Sequence, residues 1–399
     1  MTSPSVAFPA EDLAGGGLRR RPAKTDFLRP TYGFDDVSLA PGVATIDPAD
    51  VELNTSFGGF KLKMPILAAA MDAVVDPRMC GALARVGALG VLNLEGLQTR
   101  HDDPAAALQR ISDANDADVQ QALADVYGAP IREELIALRI RQIHELGSPA
   151  VVAATPAAAR SLGTFAADNG ADVFVVQSQV SSPRHIAAGY EPLSLFEFCA
   201  SLPIPVAVGN TTSYEAALGL MGQGVAAVFV GVGPGSACTT REVLGIGVPQ
   251  VSAIADVAAA RDEYFDRTGR YIQVVADGGM RRGGELAKAI AAGADLLMLG
   301  SPLARSSEAP GQGTHWGMAA SSPTLPRGTR IKVGTVGSLE RILLGPATVT
   351  DGSENLIGAL RQSMAALGAR TIRDMQRVEM IYAPAIGGEG KSWQRGATR

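Results

Sequence analysis

From Pro65 onward the chain alternates short, almost wholly apolar runs with longer Ala-rich stretches of helical periodicity. Apolar runs of this length without polar alternation are what strands buried on both faces require, and the intervening helices supply the cover. Eight such runs are present: PILAAA (65–70), GVLNL (90–94), AVVAA (150–154), DVFVVQ (172–177), PVAVG (205–209), AAVFV (226–230), QVVAD (273–277) and LLMLG (296–300). Eight βα units in succession predict an α/β fold, a closed (β/α)8 TIM barrel. Its functional residues should lie on the loops at the C-terminal ends of the strands.

Two stretches break the rhythm. Residues 97–145 are polar and helix-prone, and predict a helical insertion between the second and third strands. Residues 305–337 are rich in Gly, Pro and Ser, the composition of a long loop over an active site. A helical segment, ENLIGALRQSMAALGARTIRDMQ, closes the domain. The organisation expected is therefore a flexible leader over 1–29, one catalytic barrel over 30–385 and a tail over 386–399. Arg19, Arg20 and Arg21 resemble the start of an export signal, but no apolar segment follows them.

Composition narrows the picture. Hydrophobic residues make up 46% and aromatics only 5%, so the core must be built mainly from Ala, Val, Ile and Leu. A formal charge of −5 argues against a nucleic-acid surface, and no apolar run has the length of a membrane span. Cys80, Cys199 and Cys238 are too few and too scattered for a disulfide framework, which points to a reducing, cytoplasmic setting.

The chemistry concentrates after the sixth strand, in VGVGPGSACTTREVLGIGVPQ (230–250). Gly231, Gly233 and Gly235 allow tight turns that present backbone groups to a phosphate or a monovalent cation. Cys238 sits on this loop beside Thr239, Thr240 and Arg241, where a thiolate can form and be reached. Cys80 and Cys199 lie in Ala/Leu-rich helical stretches and read as small core hydrophobes. After strand seven, Asp277 can grip a ribose diol while Gly278 and Gly279 offer open amides. After strand eight, Gly300 and Ser301 open a helix at the place where this fold commonly binds phosphate. His315 reads either as a phosphate partner or as a stacking residue beside Trp316. His101, His144 and His185 are expected in solvent, and Asp102, Asp103, Glu133 and Glu134 as helix caps and surface charge.

This constellation resembles the IMP dehydrogenase / GMP reductase family from about Thr31 to about Met380. The resemblance is carried by GPGSACTTREVLGIGVPQ, YGFDDVSLAPG (32–42), PILAAAMDAVVD (65–76), VADGG (275–279), GGELAKAIAAGADLLMLGSPLA (283–304) and HWGM (315–318). It implies that Cys238 attacks purine C2, with Thr240 as its companion. It implies that Ser236, Gly279, Gly300 and Ser301 hold the 5′-phosphate and Asp277 the ribose. Met71, Asn210, Gly317 and Met318 would lie against the base, and Gln177 would occupy the nicotinamide-ribose position. The carbonyls of Gly233, Gly235 and Cys238 would bind potassium. A homotetramer using IMP or GMP with NADPH or NAD is implied as well.

Two departures separate the branches of that family. Dehydrogenases carry an Arg-Tyr pair on a long flap, whereas only AASSPTLP separates Met318 from Arg327 here. The CBS module usual after strand two is absent, with 97–145 in its place. Both features favour a GMP reductase (GMP and NADPH to IMP, ammonia and NADP) over an IMP dehydrogenase (IMP and NAD to XMP). Arg327 stands where reductases carry a Glu, and His315 where a phosphate-side Tyr is usual, the pattern of an IMP dehydrogenase-related branch. A weakly catalytic IMP/GMP-binding regulator is the alternative from another class, and a flavin-dependent barrel the reading if the resemblance is set aside.

Overall fold

The computed structural model describes residues 28–317 and 329–386. The described residues from Tyr32 onward form one compact unit. Eight parallel strands close into a barrel: β1 (Ile66–Ala68), β2 (Leu89–Asn93), β3 (Val151–Ala154), β4 (Val173–Gln177), β5 (Val206–Thr211), β6 (Ala227–Val230), β7 (Gln273–Asp277) and β8 (Leu296–Leu299). Each pairs with its sequence neighbours, and closure comes where β8 meets β1, with Leu297 opposite Ile66. All eight runs read from the sequence are strands; 273–277 matches at both ends and the other seven differ by a residue or two at one or both ends.

Alternation explains the apolar runs. In β6, Ala227 and Phe229 pack inside the barrel while Val228 and Val230 meet the surrounding helices; Val173 and Val175 of β4 divide from Phe174 and Val176 in the same way. Both sets are buried because the helices Pro77–Val86, Pro156–Asp168, Tyr214–Met221, Gln250–Thr268 and Gly283–Ala291 cover the outside. The floor is closed by a hairpin, Thr55–Phe57 with Phe60–Leu62. Phe57 inserts from it into the barrel and meets Phe229 edge-on, with ring centroids 6.2 Å apart. Neither this plug nor the antiparallel pairing of Val37–Leu39 with Met380–Tyr382 was legible in the sequence.

The insertion folds as three helices, Pro104–Asp113, Val119–Tyr127 and Glu133–Glu145. Asp103 caps the first through the Ala106 amide at 3.1 Å, and Asp102 and Glu134 both pair with Arg132 at 2.7 Å, so these acids are cap and surface charge. Within 305–337 two short strands, Thr314–Trp316 and Arg330–Lys332, pair antiparallel, so this stretch is partly regular structure. The closing segment forms the helices Leu356–Ala366 and Ile372–Met375. Among the described residues no helix is long and apolar enough to cross a membrane. The leader up to residue 27, most of the tail, Met318 and Arg327 lie outside the described residues.

Phe229 is fully buried at the contact between barrel and plug. Phe229→Ala is expected to lower unfolding free energy by about 3–5 kcal/mol, the cost of an aromatic cavity in a core that cannot collapse. Urea denaturation followed by circular dichroism reads this, and a loss within about 1 kcal/mol would show that the plug leaves the barrel interior loosely packed.

Candidate active site

Three polar side chains end strands that are otherwise apolar, and they meet over the barrel axis. Asp277 closes β7, Gln177 closes β4 and Asn210 lies near the end of β5. The Asp277 Oδ2 accepts from Asn210 Nδ2 at 2.7 Å and from Gln177 Nε2 at 3.1 Å. Burial in the barrel mouth pushes the Asp277 carboxyl up to about 6, against the two amide hydrogen bonds that pull it down. The carboxylate is held in one orientation by groups on two other strands, and among the described residues its second oxygen takes no side-chain hydrogen bond.

The loop after β6 carries the thiol. Gly231, at φ 146°, passes so close to the Asp277 carbonyl that a Cβ would lie 2.4 Å from it, which ties this residue type to that turn. Gln250, at the head of the following long helix, donates to the carbonyls of Val230 at 2.9 Å and Asp277 at 3.2 Å, clamping the ends of β6 and β7 together. Cys238 is partly exposed, and its Sγ lies 3.1 Å from Thr240 Oγ1. Gln179 Nε2 donates to that hydroxyl at 3.3 Å. Gln179 and Gln250 stand inside the motifs VVQSQVSSP and GIGVPQ, but nothing in their spacing marks them as site residues.

Loops after strands six and eight also meet. Ser236 Oγ and Ser301 Oγ are 2.6 Å apart, and Gly279 and Gly300 lie beside them in one cavity of about 480 Å³ with Met71, His315 and Gly317. A Cβ on Gly300 would lie 2.9 Å from Met71 Sδ, so the glycine makes room for that side chain. The Gly278 amide is not open as read from the sequence: it donates to the Met298 carbonyl at 3.2 Å, so of the Gly278–Gly279 pair the structure shows only Gly278 committed to the sheet. His315 is buried, neither ring nitrogen has a partner among the described residues, and burial lowers its pKa, so the ring is neutral at neutral pH.

A second cavity of about 710 Å³ opens over the barrel mouth, bordered by Asn93, Glu95, Arg100, Gln177 and Asn210. Cys238, Thr240, Gln179, Met71 and Asp277 line both cavities. The sulfur thus stands in the wall between a smaller, hydroxyl-rich recess and a larger trough.

The other sequence candidates fall elsewhere. Cys80 is fully buried against the Gly90 carbonyl, with its thiol pushed far up by desolvation. Cys199 packs against the core and is pushed up to about 11. His144 bonds Asp172 at 2.8 Å and His185 bonds Tyr190 at 2.9 Å, both at the surface; His101 is half-buried and bonds the Val126 carbonyl at 2.9 Å.

The chain matches the family described as the IMP dehydrogenase / GMP reductase domain over residues 31–321. It belongs to that family. A member solved from Corynebacterium glutamicum, an IMP dehydrogenase/GMP reductase-like protein, superposes with a TM-score of 0.84 at 35% identity, covering 89% of this chain and 95% of the other. An uncharacterized oxidoreductase of Mycobacterium leprae is 40% identical over 89% of this chain and 97% of its own length. The inosine-5′-monophosphate dehydrogenase of Methanocaldococcus jannaschii is 29% identical over 87% of this chain and 91% of its own. This IMP dehydrogenase / GMP reductase family member is therefore an oxidoreductase, of a family that uses NAD(P).

The three thiols differ enough in access to be told apart chemically. At pH 7.5 iodoacetamide is expected to modify Cys238 at least about ten times faster than Cys80 or Cys199, as followed by peptide mass spectrometry. Labelling of Cys80 or Cys199 at a comparable rate would contradict the burial described here.

Proposed function

We propose that this family member is a GMP reductase, which converts GMP and NADPH to IMP, ammonia and NADP through a covalent bond between Cys238 and purine C2. The observation that carries this reading is the position of the sulfur between two cavities with Thr240 at 3.1 Å. A nucleotide in the smaller cavity would set its phosphate against Ser236, Gly279, Gly300 and Ser301 and its ribose against Asp277. The base would then rest by Met71 and Gly317, with Asn210 at the border of the larger cavity. His315, buried and neutral, can donate one hydrogen bond to the phosphate.

In the first step the thiolate adds to C2, the bond from C2 to the exocyclic nitrogen breaks, and the amine leaves as ammonia after gaining a proton. In the second a hydride adds at C2, and the bond from C2 to sulfur breaks, returning the thiolate. A nicotinamide dinucleotide bound in the larger cavity would supply that hydride. Gln177 borders this cavity with its amide NH2 turned to Asp277, which leaves its carbonyl oxygen for the cofactor. Thr240, supported by Gln179, is the hydroxyl placed to pass a proton between sulfur and departing nitrogen. The carbonyls of Gly233, Gly235 and Cys238 share one loop; Gly235 accepts the Cys238 amide at 3.0 Å and keeps a second lone pair for potassium. The reductase direction rests on the absent Arg-Tyr pair after Met318, and a cytoplasmic homotetramer on family resemblance.

The name of the archaeal relative favours a second reading, IMP dehydrogenase, which shares the adduct and runs the hydride the other way. Absorbance at 340 nm decides: consumption of NADPH with GMP supports the reductase, production of NADH with IMP the dehydrogenase. Cys238→Ala should abolish either turnover while nucleotide binding survives. Binding of IMP or GMP without turnover in either direction would leave the weakly catalytic regulator.

The grip on the ribose depends on an ionised Asp277. Its carboxyl titrates near 6, so the acceptor form dominates at pH 7 and is lost as pH falls to 5. Nucleotide affinity should fall about ten-fold more over that range in the wild type than in Asp277→Asn, as measured by titration calorimetry. Parallel pH profiles in the two proteins would remove Asp277 from the binding reaction.

A further inference from the structure

The insertion reaches the nucleotide cavity through one buried hydroxyl. Tyr127, the last residue of the helix Val119–Tyr127, donates its OH to Asp72 Oδ2 at 2.7 Å and accepts from Trp316 Nε1 at 2.9 Å. Asp72 follows Met71 on the loop after β1, and Trp316 stands between His315 and Gly317 after β8. Met71, His315 and Gly317 all line the cavity, whereas Asp72, Tyr127 and Trp316 are buried behind it. One phenol therefore joins two catalytic-face loops, beside the backbone bond that the Gly311 amide donates to the Ala73 carbonyl at 2.9 Å.

Two further contacts show that this junction is built and not incidental. Trp316 forms part of the insertion's own apolar core, with Ala73, Leu97, Leu108, Ile111, Leu123 and Val126 around it. The backbone of Gly96, at the entry to the insertion, lies so close to the Asp72 carboxylate that a Cβ there would stand 1.9 Å from Oδ1. Removing a buried phenol that bonds a buried carboxylate and a buried indole costs each of them a hydrogen bond.

We infer that Tyr127 is a positioning residue, through which the helical insertion 97–145 fixes the Met71 loop and the His315–Gly317 segment at the height the purine nucleotide needs. The tie to a purine rests on the function proposed above; the tie between insertion and loops does not. In this branch the insertion is thus a brace for the substrate site.

The test compares Tyr127→Phe with Leu123→Ala, a cavity in the same helix that spares the hydroxyl network. Thermal denaturation establishes that both variants fold. Hydrogen exchange is read at the amides of Val74, Gly311 and Thr314, which bond to the Met71, Ala73 and Gly311 carbonyls. Exchange there should quicken roughly ten-fold in Tyr127→Phe and stay near wild type in Leu123→Ala. KM for the nucleotide should rise roughly ten-fold in Tyr127→Phe, with kcat within about two-fold, and should not move in Leu123→Ala. Wild-type exchange in Tyr127→Phe, or equal effects in the two variants, overturns the brace. Faster exchange with an unchanged KM overturns its role in substrate placement. A wild type that binds neither GMP nor IMP overturns the functional reading instead, and the exchange comparison still decides whether the brace exists.

Discussion

A ring of eight parallel strands has no solvent face. Each strand must offer apolar side chains to the interior and to the helices alike, so polar groups are excluded along its length and can gather only at the ends. In this protein that constraint concentrates Gln177, Asn210 and Asp277 at one mouth, and there the carboxylate is stabilised by two amides because water is largely excluded. Everything functional is arranged around this arrangement. The Cys238 loop is clamped to the carbonyl of Asp277 through Gln250, and the serines of loops six and eight meet beside it.

Much of this was legible in the sequence because it follows from period and punctuation. The runs 172–177 and 226–230 could be assigned as strands since nothing else buries both faces of so short a segment. Cys238 could be separated from Cys80 because one is flanked by glycines after a strand and the other lies in a helix with an apolar face. Ser236 and Ser301, 65 residues apart, were brought together by the family resemblance, and the rim that carries both loops sets their hydroxyls 2.6 Å apart.

What escaped notice has a common physical cause. Gln250, Gln179 and Tyr127 act through single hydrogen bonds to partners far along the chain, such as Trp316, 189 residues from Tyr127. No periodicity marks such a contact, and a tyrosine ending an amphipathic helix reads as ordinary core. The Gly278 amide was misread for a related reason: a left-handed turn is visible as a Gly-Gly pair, but which amide the neighbouring strand takes depends on register, here the Met298 carbonyl. The plug residue Phe57 looks like any aromatic in a hairpin until the barrel around it is closed.

The wall shared by the two cavities has a thermodynamic corollary. A molecule seated against Cys238, Met71 and Asp277 from the recess becomes part of the surface that the trough offers to its own guest. Two guests that touch favourably across that partition strengthen each other's hold by one common factor, whichever arrives first, and two that clash weaken each other equally. Selectivity at either chamber is therefore a property of the pair of occupants, written in how well they fit one another as much as in the side chains around them.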